Sequence, residues 1–150
     1  MRTPKILVIQ GANMNWLGKR EPEKYGTTTA AELDAMMRDH AQRNGYDLEI
    51  FQTNHEGVCV DRIYQAVEAG VDCLVMNPGG FTYAGKSIAD CIRGTRLPYV
   101  EVHIKNHYVS GTHSVIADSA IGVIMGLGVH GYLHALDAAL RIAGERAAAK

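Results

Sequence analysis

Four stretches of the chain crowd together residue types that move protons or hold charge. The longest, QGANMNWLGKREPEKYG (10–26), contains Asn13, Arg20 and Tyr25; QTNHEG (52–57), NPGGFTY (77–83) and HIKNH (103–107) follow, and Glu101 stands just ahead of the last. Asparagine, arginine, tyrosine, histidine and glutamate are side chains of acid–base chemistry and of charge stabilisation. The glycines of the first stretch form neither G-x-G-x-x-G nor G-x-x-x-x-G-K-[ST], so nothing there reads as a nucleotide cradle. His130 and His134 are spaced to share a helical face, and His103 and His107 repeat the spacing. The first pair lacks the glutamate of H-E-x-x-H, and such pairs are more often surface or interface residues, so the reading is no metal.

These residues act together only if the fold gathers them, because polar loops also arise simply from solvation. Short apolar runs recur at 6–9 (ILVI), 48–51 (LEIF), 73–76 (CLVM), 99–102 (YVEV) and 121–125 (IGVIM), and each reads as a strand. Helical periodicity fills the gaps: Leu33, Met36, Met37 and Ala41; Ile63, Tyr64 and Val67; Ile88, Cys91 and Ile92; Leu133, Leu136 and Leu140. Thr29 with Glu32 forms a capping-box pattern, and Gly45, Gly70 and Gly94 stand where helices should stop. Strands separated by helices run parallel with right-handed crossovers. The expected fold is α/β: a flavodoxin-like three-layer α/β/α arrangement with a five-stranded parallel sheet. Ligands of such sheets bind beyond the carboxyl ends of the strands, where the polar stretches begin.

With 150 residues, 47% of them hydrophobic, the chain suits one domain over 1–150 with a sizeable core. A net charge of -1 with mixed signs points away from nucleic acid and membrane surfaces, and towards a small molecule or further copies of the chain. Cys59, Cys73 and Cys91 are odd in number and widely spaced, and Cys73 lies in an apolar run, which favours reduced thiols and a cytoplasmic location. The apolar start is shorter than a signal peptide's, and no later stretch is long enough to span a bilayer.

The motifs GANMNWLGKREPEKYG (11–26), FQTNHEG (51–57), NPGG (77–80) and EVH (101–103), in this order, resemble the type II dehydroquinases, and the resemblance covers nearly the whole chain. It implies a flavodoxin-like fold, a homo-oligomer built as a dodecamer of trimers, and neither metal nor organic cofactor. The implied reaction is anti elimination of water from 3-dehydroquinate through an enolate, giving 3-dehydroshikimate, in aromatic amino acid biosynthesis (the shikimate pathway) or quinate catabolism.

By that resemblance Tyr25 is the base and Arg20 the cation that activates it. Activation is needed because a tyrosine with a pKa of ~10 is mostly protonated at neutral pH. Asn13 matches the group that, with a water, stabilises the enolate oxygen. His103 matches the acid that protonates the leaving hydroxyl, and Glu101 looks like its orienting partner. Asn77 and the main-chain amides of Ile104 and Lys105 match substrate-binding groups near the carboxylate, and Asp90 an aspartate that reaches a neighbouring subunit's site.

The match fails at the end that reads the ring hydroxyls. Tyr83 stands where the family has a histidine, and HYVSGTHS (107–114) is short and lacks the family's substrate-binding arginine. Ala12, Trp16 and Lys105 replace a proline, an aliphatic residue and a small hydroxyl residue. A lyase or hydrolase acting on another cyclic ketone, or a non-catalytic binding or assembly homologue, are the alternatives these changes motivate. A flavin mononucleotide domain fits the fold but not the first loop, which offers Lys19, Arg20 and Glu21 instead of a Ser/Thr/Gly phosphate cradle. The segment from Met14 to Tyr25 is expected to close over substrate as a mobile lid.

Overall fold

Apolar runs joined by amphipathic helices can share a sheet only if each helix carries the chain back to the same end, and this chain does so throughout. The computed structural model describes residues 2–150. Strands β1 (Lys5–Ala12), β2 (Asp47–Gln52), β3 (Cys73–Gly79), β4 (Tyr99–His103) and β5 (Gly122–Met125) alternate with α1 (Pro22–Tyr25), α2 (Ala30–Asn44), α3 (Glu56–Glu68), α4 (Lys86–Thr95), α5 (His107–Ser110) and α6 (Gly131–Ala148). All pairs are parallel, in the order β2-β1-β3-β4-β5, which is the flavodoxin-like order.

Strand residues alternate between two cores. Ile6, Val8, Val75, Val100 and Val102 face α2 and α6, packing with Leu33, Met37, Tyr132 and Leu136. Leu7, Ile9, Leu74, Met76 and Tyr99 face α3 and α4, packing with Cys59, Ile63, Ile88 and Ile92. Covering both faces is what makes β1 and β3 read as continuous apolar runs. Cys59, Cys73 and Cys91 are free and buried, and desolvation pushes the Cys59 and Cys73 thiols up to about 12. No described helix is long and apolar enough to cross a membrane.

Both halves of the capping box at α2 are present, with Glu32 N–H donating to Thr29 Oγ1 at 3.1 Å and Thr29 N–H to Glu32 Oε1 at 3.0 Å. Gly45 caps α2 in the left-handed region, and Gly70 follows α3 with φ +79°. Gly94 corrects the expectation: it lies inside α4, which runs on to Thr95 and is capped by Arg96 at φ 59°. Tyr64 and Val67 also turn outward, 50% and 38% exposed, because α3 buries the stripe through Cys59, Ile63 and Ala66 instead. In α6 the fully buried positions are Tyr132, Ala135, Leu136 and Ala139, while Leu133 and Leu140 sit at the margin.

The carboxyl ends of β1 and β3 meet backbone to backbone. A Cβ on Gly11 would stand 1.9 Å from the Pro78 carbonyl oxygen, and one on Gly79, at φ +55°, 2.3 Å from that of Ala12. Gly11→Ala must therefore push the strands apart, and we expect a loss of at least ~3 kcal/mol in urea denaturation. Gly94→Ala, in an exposed helical position with open space around it, should gain roughly 0.5–1 kcal/mol in the same measurement.

Candidate active site

A cleft of about 590 Å³, counted out to open solvent, lies where the ends of β1, β3 and β4 meet, at the β1/β3 switch of strand order. Asn13 and Met14 line it from the end of β1, Arg20 and Tyr25 from the following loop, and Asn77, Gly79, Gly80, Thr82 and Tyr83 from β3 and beyond. His103, Ile104, Lys105 and His107 line it from the end of β4. Eight of the ten residues singled out from sequence are thus in this wall: Tyr25, Arg20, Asn13, His103, Asn77, Ile104, Lys105 and Tyr83.

The loop after β1 is built from short turns. A 3-10 turn covers Met14–Trp16, and Gly18, at φ +88°, packs its Cα region against the backbone of Thr28 and Thr29, where a side chain would collide. The next turn, α1, starts at Pro22 and ends at Tyr25, with the N–H of Gly26 bonded to Pro22 O. This places the Arg20 guanidinium carbon 4.9 Å from the Tyr25 ring centroid. Glu21 bonds Lys24 at 2.9 Å and reaches Arg20 only at 3.9 Å, so the Arg20 charge is left largely available to the cleft. The same Lys24 contact holds the Glu21 carboxyl below its usual range.

Glu101 and His103 project from the same face of β4, with Glu101 fully buried and His103 2% exposed. Glu101 Oε2 meets His103 Nε2 at 2.8 Å, and its other oxygen accepts the Tyr99 hydroxyl at 2.7 Å. A buried carboxylate needs such partners, and here both of its oxygens have one. Burial, then the Glu101 charge, drive the Tyr99 hydroxyl well above its usual range, so it stays a donor. Since no buried side-chain nitrogen among the described residues lacks a partner, His103 Nδ1 is the ring atom left to the cleft.

The His107 ring lies 4.0 Å from that of His103, centroid to centroid, tilted by 48°. Desolvation, followed by the nearby His103 and Lys105 charges, lowers its pKa.

Two further networks fix the asparagines. Asn77 Nδ2 donates to the Tyr132 hydroxyl at 2.9 Å, which donates to Gln10 Oε1 at 2.6 Å, while Gly79 N–H donates to Asn77 Oδ1 at 3.0 Å. Asn13 sits at φ 75°, a left-handed conformation that asparagine tolerates better than most residues. Its N–H donates to Asn54 Oδ1 at 2.9 Å, and Gln52 Nε2 donates to the same oxygen at 3.0 Å.

The remaining expectations divide. Tyr83 reaches the wall but is 71% exposed, at the rim. Asp90 is outside the cleft, exposed on α4 and bonded to Arg93 at 2.7 Å. His130 and His134 are exposed, and no group of three or more His, Cys, Asp or Glu side chains is arranged for a metal among the described residues. Sequence reasoning left His107, Thr82, Tyr99, Tyr132 and Gln10 without a part in the site. The tyrosines carried a usable signal, since a hydroxyl within an apolar stripe must find a buried partner.

Residues 4–140 match the family model described as "Dehydroquinase class II". The chain belongs to the class II dehydroquinase family. It is 44% identical over 135 residues to a "3-dehydroquinate dehydratase 1" of Ralstonia nicotianae, covering 88% of this chain and 86% of that protein. A "Catabolic 3-dehydroquinase 1" of Aspergillus terreus is 45% identical over 135 residues, covering 88% of each. The crystal structure of a type II dehydroquinase from Butyrivibrio crossotus superposes with a TM-score of 0.89 at 34% identity, over 92% of this chain and 98% of that one. The dehydroquinase family model thus spans every residue of the cleft.

His107 supplies a pH test of this packing. Its folded-state pKa lies below the unfolded value of ~6.5, so protonation favours the unfolded chain and stability falls as pH drops through that value. His107→Gln should flatten the decline in melting temperature between pH 7.5 and about 5, as read by circular dichroism.

Proposed function

We propose that this chain is a 3-dehydroquinate dehydratase, a hydro-lyase that uses Tyr25 as base and His103 as acid. What carries the reading is the pairing, in one cleft of a class II dehydroquinase, of a tyrosine beside a cation with a histidine held by a buried carboxylate. The named relatives include both a dehydratase and a catabolic 3-dehydroquinase, and the chemistry is common to biosynthetic and catabolic use.

In the proposed reaction the Tyr25 phenolate, stabilised by Arg20, takes the proton from the carbon beside the ketone. The electron pair moves onto the carbonyl oxygen, where the Asn13 amide, acting with a water, donates to the enolate. When the enolate collapses, the bond from the ring to the tertiary hydroxyl breaks, and His103 delivers the proton with which that oxygen leaves as water. The product is a conjugated enone. Glu101 orients the imidazole and offsets its charge when doubly protonated. Asn77 and the amides of Ile104 and Lys105 are the proposed carboxylate end, and the cationic side chains of Arg20 and Lys105 suit an anionic substrate. Tyr83 and His107 are the polar rings at hand in the cleft wall for the substrate hydroxyls.

The segment from Met14 to Tyr25 is proposed as the lid, hinged at Gly18 and Gly26, both at positive φ. The assembly is proposed as a dodecamer built from trimers, in which Asp90, exposed and outside the lining of its own cleft, reaches a neighbouring one; a twelvefold mass in sedimentation is the expected outcome, and a monomer would contradict it. Three buried thiols support a cytoplasmic setting.

The test follows the ultraviolet absorbance of the enone on adding 3-dehydroquinate. Wild type should turn over, while Tyr25→Phe and Arg20→Ala should each lose at least ~100-fold in kcat with smaller changes in substrate binding. A folded wild type without turnover would move the assignment to another cyclic ketone, with the exposed Tyr83 rim and the arginine-free 107–114 segment as the place of divergence.

A further inference from the structure

Lys105 forms no ion pair with a carboxylate among the described residues. The backbone just ahead of it is pinned, because the connection from β5 to α6 donates Gly126 N–H to His103 O at 3.3 Å and Gly128 N–H to Ile104 O at 3.0 Å. Asn106, next along, caps α5 by accepting the Tyr108 N–H at 3.0 Å. From this fixed base the half-buried side chain reaches Nζ to 5.8 Å from the Tyr25 ring centroid, with no hydrogen bond or ion pair to a carboxylate among the described residues. A cation held partly out of water beside an aromatic ring, and bonded to no carboxylate, favours whatever negative charge forms there.

Tyr25 is therefore approached by charge from two separate elements. Arg20 comes from its own loop, with the guanidinium carbon 4.9 Å from the ring centroid, and Lys105 from the end of β4. The other charged and titratable groups around it are Lys24 and Glu21, which pair with each other, His103 and His107 in the cleft, and His130 across a second recess behind Tyr25 and Lys105. The reach of the Lys105 charge shows at two of these neighbours, since it contributes to lowering both Glu21 and His107.

We infer that Lys105 is a second cation of the base site, sharing with Arg20 the stabilisation of the Tyr25 phenolate, rather than a surface lysine or a carboxylate anchor alone. This rests on the reading of Tyr25 as the base. Arg20 and Tyr25 travel together on the loop, so Arg20 favours the phenolate throughout the movement of the lid, whereas Lys105 stays with the sheet. The charge on Tyr25 is then most strongly stabilised when the loop is docked against β4, which couples closure to activation of the base.

The experiment compares wild type, Lys105→Met and Lys105→Arg, each shown to be folded by circular dichroism. In kcat/KM for 3-dehydroquinate against pH, activity rises as the base loses its proton. Removing a favouring cation should therefore move the acid limb of Lys105→Met to higher pH, by roughly one unit, and Lys105→Arg should restore it. A higher KM for Lys105→Met with an unmoved limb would overturn the inference and leave Lys105 as a carboxylate anchor. Ultraviolet difference titration of tyrosinate, with Tyr25→Phe subtracted, reads the same shift without substrate. If wild type fails to turn over, the proposed reaction fails, but a tyrosinate titration that moves in Lys105→Met still upholds the Lys105–Tyr25 coupling; one that stays put rejects it.

Discussion

The site depends on how closely β1 and β3 approach at their carboxyl ends. Parallel strands pair at a fixed spacing along their length, but beyond the last bonds the chains must diverge into loops, and bulky residues would hold those loops apart. Here Gly11, Gly79 and Gly80 remove the side chains at the crossing, so the backbone of one strand end lies against the other. Asn13 and Asn77 consequently open onto one cleft, although one follows β1, the other lies on β3, and they belong to crossovers that lead to opposite edges of the sheet. Loss of that contact would leave the polar groups in place but no longer facing a common substrate.

Around this crossing the protein separates charge by depth. Its carboxylate, Glu101, is at the bottom, fully buried and bonded on both oxygens to Tyr99 and His103. The cations Arg20 and Lys105 line the cleft, and the Glu21 carboxylate that comes within 3.9 Å of Arg20 is bonded to Lys24 instead. Low dielectric at the base of the cleft strengthens the Glu101–His103 contact, and partial exposure at the mouth lets a small anion replace the water around the cations. The two tyrosine-centred networks, through Tyr99 and Tyr132, supply the donors that make such a polar interior tolerable within an otherwise aliphatic sheet.

Much of this was legible in the chain itself. Five apolar runs gave the strands, alternating helical stripes gave a parallel sheet, and the Thr29–Glu32 pair marked the start of α2. Position after a strand then pointed to the polar loops, and within them the resemblance to the type II dehydroquinases singled out Asn13, Arg20, Tyr25, Asn77 and His103, all of which line the cleft. Where local reasoning faltered, a long-range term had decided. Gly94 reads as a stop, but Leu97 and the packing of α4 on the sheet carry the helix to Thr95. Tyr64 and Val67 fit a helical stripe, but a stripe has no direction until a sheet is placed beneath it, and that sheet took Cys59, Ile63 and Ala66.

The sequence by itself determined the periods: which segments are strands or helices, which end of the sheet carries polar groups, and the ordered motifs by which the family is recognised. These are encoded by neighbours within a few residues, where propensity, capping and alternation act. Only the tertiary structure decided which atoms meet. The ring of Tyr25 beneath Lys105, and the Tyr132 hydroxyl between Asn77 and Gln10, each join residues whose separation in sequence carries no spacing rule. Such contacts follow from strand order and from backbone approach at the glycines, which are set by packing of the whole sheet between its helical layers.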